Sequence, residues 1–316
     1  MADTNLTTTD PAASVRKSRH PALHEFAFSM KRLFKNPLTI VGLSIIVFFA
    51  LVAIFAPVIA PPENPANPYQ IPHDGWATTP SPPSAEHPFG TMSQQYDIFY
   101  GVVWGTRNAF KIGFVIMLVN LAIGIVLGSV AGYFGGIVDE VIMRVTDIFY
   151  AIPMLPLAMA LVVAMGRGMS SIITVLIILG WPTYTRVIRS EILVIRNSDF
   201  IQAAKASGSS SLRTLITHVL PNSMFSVIII GSMRIGTVVL TAAALSFLGL
   251  GAEAGFADWG QMVAGSRNWI VGPGNNRLAY WYVVLIPGMV IALFVLGWNL
   301  LGDAIRDVFD PRVRRK

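Results

Sequence analysis

Side chains that could do covalent chemistry are scarce in this sequence, and none is grouped for it. There is no cysteine, which excludes disulfides, thiolate metal ligands and thiol nucleophiles. There is no G-x-x-x-x-G-K-[S/T] phosphate loop, so ATP hydrolysis of the usual kind would need another chain. No His/Asp/Glu set has metal-ligand spacing, and no nucleophile stands beside a base. What remains is the chemistry of contact, and it concentrates in residues 199–222, DFIQAAKASGSSSLRTLITHVLPN. Phe200, Ala203, Ala204 and Ser207 recur at i, i+3, i+4 and i+7 and so share one helical face. Apart from Phe200 that face is small and flat, which suits close packing against a partner. An ordinary interfacial helix would show the same periodicity.

The rest of the stretch reads as two short helices joined at Gly208, which tolerates φ > 0 and can end the first. The hydroxyls of residues 209–211 can cap the second. Pro221 should end or kink it. Arg186, Arg189 and Arg196 precede the stretch, and Lys205 and Arg213 lie within it. One more polar residue stands out. Arg234 falls near the middle of the apolar run 224–250. A charge at that depth is costly and should face the bundle interior, water or a partner subunit. It either lines a path and meets a carboxylate of the transported molecule, or pairs with carbonyls or a neighbouring subunit.

The elements that must position these residues are membrane spans. Of the 316 residues 53% are hydrophobic and 13% charged, about half the charged fraction of a soluble domain. The mean hydropathy is +0.60. Apolar blocks reach the roughly 20 residues that a helix needs to cross a bilayer. Spans are expected at about 38–60, 112–134, 146–165, 172–188, 224–250 and 281–301. The third should kink at Pro153 and Pro156, and the fourth should break at Trp181-Pro182 before continuing as a helix past the membrane. Gly124, Gly128 and Gly132 line one face of the second, a small-xxx-small pattern for close helix approach. Residues 24–35 could form a short amphipathic helix or a plain linker.

Charge orients the spans. Of 23 Lys/Arg, the N-terminal tail holds six, residues 186–221 five, and the C-terminal tail five. Residues 61–105, rich in proline, hold none. The net charge of +6 therefore marks a membrane topology with both termini and residues 199–221 inside, rather than a nucleic-acid partner. The proline-rich segment is either a landing surface for an extracellular partner or an irregular lid on the protein's own outer face.

The residue pattern then resembles a known family. Ala203, Ala204, Gly208, Leu220 and Pro221 match the EAA loop of ABC importer permeases at its spacing, with Gln202 where the family has Glu and His218 where it has Ile. His-x-Leu-Pro-Asn at 218–222 is similar to the peptide/nickel branch. So are His87, Phe89, Gly90, Thr91, Asp97, Gly105 and Arg107, although Met92 stands where Asp is usual and Gln95-Tyr96 where Gly-Arg is usual. The ending, with Leu301, Gly302, Asp303, Arg306, Asp307, Asp310, Pro311 and Arg312, resembles the same branch.

The resemblance implies an all-α membrane protein with six transmembrane helices, the type I ABC importer permease (MetI-like) fold with an extra N-terminal helix, as the C-type subunit of a dipeptide/oligopeptide system. It divides the chain into a cytoplasmic tail 1–37, a first span 38–60, an outer loop 61–107, a five-helix core 108–303 with the coupling loop 199–221, and a basic tail 304–316. It implies ATPase-coupling roles for Asp199, Phe200, Gln202, Ala203, Ala204, Lys205, Ser207, Gly208, His218, Leu220 and Pro221. It implies a prokaryotic inner-membrane location. The partners would be a second homologous permease, two ATP-binding subunits that hold ATP and Mg, an extracytoplasmic substrate-binding protein and membrane lipid. This chain would carry no catalytic residue, cofactor or metal. The alternative is an ion-coupled secondary transporter, which should place acids near the midplane and show an inverted repeat. Asp139, Glu140 and Asp147 all fall near the inner end instead.

Overall fold

The computed structural model describes residues 36–272 and 276–309. The expected N-terminal amphipathic helix, the 272–274 turn and the end of the basic tail fall wholly or partly outside those residues. Among the described residues there are no strands, only three isolated β-bridges.

Helix α1 spans Pro37–Ile59. Asn36 caps it through its side chain, and proline sits at its first turn, where the missing N–H costs nothing. Leu38, Phe48, Leu51, Ile54, Phe55 and Val58 are exposed, as expected for a helix lying against lipid. Its other side packs on the last helix: a Cβ on Gly42 would meet Leu300 Cβ at 2.6 Å.

Helix α2, Ile98–Phe134, has 37 residues and is about 55 Å long at 1.5 Å per residue. It starts fourteen residues before the expected span. Asp97 explains the start, since its side chain accepts from Tyr100 N at 2.8 Å and satisfies a free donor of the first turn. The glycine stripe packs as its spacing predicts. A Cβ on Gly124 would meet Tyr184 Cβ at 2.4 Å, and one on Gly128 would meet Thr185 O at 2.7 Å. Any side chain there would push away helix α5.

Gly135 and Gly136, at φ +70 and +59, turn the chain into α3, Gly136–Ala151. The expected third span is not one helix. α3 and α4, Met154–Met165, meet at 90°, with extended Ile152 and Pro153 between them. A proline pushes its predecessor out of the helical region, and here the result is a corner rather than a kink.

Helix α5, Met169–Ile195, runs unbroken through Pro182, against the expected break. Its packing against α2 holds the helix together across the lost hydrogen bond. Past the connecting stretch that holds short helices α6, Asp199–Ala206, and α7, Ser211–Thr214, the fifth long helix, α8, covers Leu220–Phe247. A short α9, Trp259–Gly265, and the final α10, Trp281–Phe309, complete the order. Among the described residues, five helices are long and apolar enough to cross a membrane, and six spans result if α3 and α4 count as one.

At the α2 N-terminal end, aromatic rings knit α1, α2, α9 and α10 together. Phe294 sits 5.4 Å from Phe49, 5.5 Å from Trp259 and 5.1 Å from Phe110 between ring centroids. The proline-rich segment packs on this end as a lid. Ile71 N donates to Gly255 O at 2.7 Å, and Ala257 N to Tyr69 O at 2.7 Å. Residues 199–222 lie at the opposite end of the bundle, where α2 finishes.

Candidate coupling site

The first short helix of the loop ends as the sequence predicts. Gly208 has φ +83. Ser209 N donates to Ala204 O at 3.1 Å and Gly208 N to Lys205 O at 3.0 Å, the paired bonds of a Schellman motif. A Cβ on Gly208 would meet nothing within 4 Å, so its backbone angle, not crowding, demands glycine.

The second part departs from expectation. Ser210 is the N-cap residue of α7, but its hydroxyl makes no capping bond. Pro221 does not end the helix. The chain widens into a π-helical turn at Leu215–Val219, with Leu220 N bonded to Leu215 O, and Pro221 falls in the first turn of α8. A π turn shifts the bonding from i−4 to i−5. A proline tolerated only in a first turn can then enter an otherwise continuous helix.

The shared face is open. Phe200, Ala203 and Ser207 are exposed and Ala204 is half-buried. Asp199, Gln202 and Lys205 are also exposed. Gln202 folds back, its Nε2 donating to Arg196 O at 3.3 Å, and Lys205 Nζ lies 5.6 Å from the Tyr133 ring centre. His218 and Leu220 are half-buried and Pro221 is exposed. Asn222 donates to His218 O at 2.6 Å. The structure thus brings the eleven residues singled out in the loop to one end of the molecule.

What sequence reading missed is the root of α6. Ile201 is completely buried, in a core with Tyr184, Ile188, Ile192, Leu215, Val219 and Val227. Its place beside Phe200, one residue off the exposed face, was the available signal. Leu212 and Ile216 are further exposed apolar side chains beside the loop.

The arginines before the loop are anchors rather than free charges. Arg189 binds Asp139 through two hydrogen bonds, Nε to Oδ1 at 2.5 Å and Nη2 to Oδ2 at 2.6 Å. Such forked pairing fixes geometry as well as charge. Arg196 Nη1 donates to Gly132 O at 2.8 Å, satisfying a carbonyl at the end of α2. Arg186 pairs with Asp147 and stacks 4.0 Å over Tyr150. Helix α5 is thereby tied to α2 and α3 just where the loop begins.

Arg234 stands apart from this site. It lies on α8 with its side chain exposed and forms no ion pair among the described residues. At the other end of the bundle, the HPFGT stretch explains its own pattern. His87 bonds Asp97 and Asp74, and Gln95, where the resembling permeases have Gly, has φ +59.

Comparison with known proteins bears on what this arrangement is for. Residues 124–315 match the model of the family described as "Binding-protein-dependent transport system inner membrane component". Residues 28–74 match "N-terminal TM domain of oligopeptide transport permease C". A dipeptide transport system permease protein of Alkalihalophilus pseudofirmus is 38% identical over 98% of this chain and 97% of its own. An oligopeptide transport system permease protein of Bacillus subtilis is 33% identical over 96% of this chain and 95% of its own. A glutathione transport system permease protein of Escherichia coli is 35% identical over 92% and 91%. Among solved structures, a chain from inward-facing conformations of the MetNI methionine ABC transporter superposes with a TM-score of 0.52 at 19% identity, covering 67% of this chain and 97% of that one. It shares the fold.

Proposed function

Since the chain belongs to the family of binding-protein-dependent transport system inner membrane components, we propose that residues 199–221 are the lever through which a separate ATPase drives it, and that its cargo is di- or oligopeptides. It is a multi-pass inner-membrane permease subunit of an ABC importer. The observation that carries the lever is the two-sidedness of α6: Phe200, Ala203 and Ser207 face outward while Ile201 is rooted in the core.

A push on the exposed face has a short path into the bundle. It passes through Ile201 into Ile192, Leu215 and Val219, and through Gln202 to the end of α5. Helix α5 then carries α2 and α3 with it, because Arg189 and Arg196 tie them. The partners are a second homologous permease, two ATP-binding subunits that hold ATP and Mg, and an extracytoplasmic substrate-binding protein. Closure of the ATPases favours one of two bundle arrangements, which is how a ligand-driven population shift becomes alternating access. Both termini and the lever lie inside, on the side rich in Lys/Arg.

Peptide cargo rests on the relatives, whose names specify dipeptides, oligopeptides and glutathione. All carry a carboxylate, and Arg234 is a cation exposed on a spanning helix where one could pass. The test is co-purification from mildly solubilised membranes. The second permease and the ATPase should follow this chain, and the ATPase should be lost when residues 199–221 are deleted while the spans still insert. Retention of the ATPase by the deletion variant overturns the lever. Recovery of this chain alone overturns the partner set.

A further inference from the structure

Two cations stand one turn apart on α2. Arg107 and Lys111 are both exposed, and their spacing puts them on one helical face, where like charges repel. Among the described residues neither pairs with a carboxylate. Aromatic rings surround them instead. The Arg107 guanidinium carbon lies 5.5 Å from the Trp104 ring centre, and Lys111 Nζ lies 5.8 Å from that of Tyr69. The two rings meet edge to face at 5.6 Å. Both are held in place. Trp104 Nε1 donates to Ala60 O at 2.9 Å, and Tyr69 O accepts from Ala257 N at 2.7 Å. The lid, α1 and α2 thus build one rigid ledge that carries two unpaired charges.

Depth says what the ledge faces. Helix α2 is continuous, and Gly132 O, which accepts from Arg196, marks the level of the charges at its far end. Lys111 precedes Gly132 by 21 residues, about 31 Å of helix. The hydrocarbon core of a bilayer is about 30 Å thick. Lys111 therefore stands at headgroup level on the lid side, and Arg107 lies one turn further out.

Below the cations the same face is apolar. Phe114, Val115 and Leu118 are exposed at i+3, i+4 and i+7 from Lys111. The opposite face is closed by packing. A Cβ on Gly113 would meet Ile235 of α8 at 2.9 Å, and one on Gly124 would meet Tyr184 of α5 at 2.4 Å. The exposed face thus turns away from α5 and α8. Two cations and an aromatic ledge at headgroup level, above an apolar stripe, are the complement of an anionic phospholipid. A guanidinium can fork onto its phosphate, and an ammonium adds a point charge. Free phosphate would satisfy the cations but leave the stripe uncovered.

We infer that Arg107 and Lys111 hold the phosphate of an anionic phospholipid in the lid-side leaflet, with its acyl chains along Phe114, Val115 and Leu118. The inference needs only the inner-membrane location, not the lever or the peptide cargo. Its test uses the complex as it purifies from membranes, reconstituted in phosphatidylcholine vesicles with a trace of phosphatidylglycerol carrying a photoreactive headgroup. Labelled peptides are mapped by mass spectrometry, and the label is competed with unlabelled phosphatidylglycerol, phosphatidylcholine or inorganic phosphate.

Label should fall within residues 107–118, and only phosphatidylglycerol should displace it. The half-displacing amount should rise about fivefold in Arg107→Gln and in Lys111→Gln, the worth of one cation at a charged membrane surface. Arg107→Lys and Lys111→Arg, which keep the charge, should recover most of that loss. Arg167→Gln removes an exposed cation from another turn and should change nothing. Equal displacement by phosphatidylcholine, or unchanged displacement in both Gln variants, overturns the site. So does a loss in the charge-keeping variants as large as in the Gln variants, which would make the side chains structural. Displacement by inorganic phosphate overturns the lipid as occupant. Dissociation of another membrane subunit from the Gln variants makes the face a subunit interface and overturns the inference as well.

Discussion

His87 Nδ1 stands 2.6 Å from Asp97 Oδ2, and its Nε2 stands 3.0 Å from Asp74 Oδ2. Both ring nitrogens face carboxylates, so the doubly protonated ring is the form that can donate to both. Asp97 also caps α2 through Tyr100 N. One histidine therefore clips the lid to the start of a spanning helix.

The hydrogen bond to Asp97, with smaller help from Asp74, raises the His87 pKa above 6.5 against the opposing effect of burial. A raised folded pKa means that the clip is fully present below pH 6.5 and is lost as pH rises through the folded value. His87→Gln should lower the stability of the complex by about 1.5 kcal/mol in mild acid, the usual worth of a charged hydrogen bond. The deficit should shrink toward zero in alkali. Melting temperatures of both proteins across pH check this, and a gap that widens with pH refutes it.

Gly208→Val should uncouple transport. Valine at φ +83 costs about 1–2 kcal/mol and loosens the turn that aims α6. Insertion and assembly should persist while uptake per ATP hydrolysed falls at least tenfold. Gly208→Asn should retain most coupling, because Asn adopts left-handed backbone more readily. Equal losses from Val and Asn would mean that the backbone angle is not the cause. The readout is the ratio of uptake to hydrolysis in proteoliposomes.

Ile201 and Phe200 are neighbours with opposite duties. Ile201→Ala opens a cavity in a fully buried site and should destabilise the chain by about 3 kcal/mol. Phe200 is 49% exposed, so Phe200→Ala should leave the melting temperature within a degree or two and instead weaken retention of the ATPase about tenfold. Thermal melts and ATPase co-purification on the same samples separate the two. A Phe200→Ala variant that melts early but binds the ATPase normally would reverse the assignment.

Arg234→Ala should raise the KM for peptide uptake severalfold with little change in melting temperature, and Arg234→Lys should recover part of it. Unchanged uptake kinetics with a less stable complex would instead make Arg234 a subunit-interface residue.

The long apolar runs were legible because a bilayer imposes a length and a polarity that no local contact can override. The glycine stripe of α2 was legible for a similar reason, since close approach has only one chemical solution. Gly208 was readable from its place between two periodic segments. Less was visible around proline. Pro153 turned a corner, Pro182 broke no helix, Pro221 ended none, and the same residue type gave three outcomes. The difference lies in what surrounds each: extended backbone at Ile152 and Pro153, packing on α2, and a π turn. Arg189 and Arg196 read as orientation charges because their partners, Asp139 and Gly132, are distant in sequence.

The sequence by itself determined that this is a helical membrane protein with apolar runs of bilayer length, and set residues 199–221 apart as an amphiphilic stretch between two of them. These follow from composition and short-range spacing. Only the tertiary structure decided that Ile201 roots that stretch, that Arg189 ties α5 to α3, and that Lys111 of α2 meets Tyr69 of the lid. Each depends on residues brought together from distant parts of the chain, and the free energy of such a contact belongs to a pair that neither segment specifies alone.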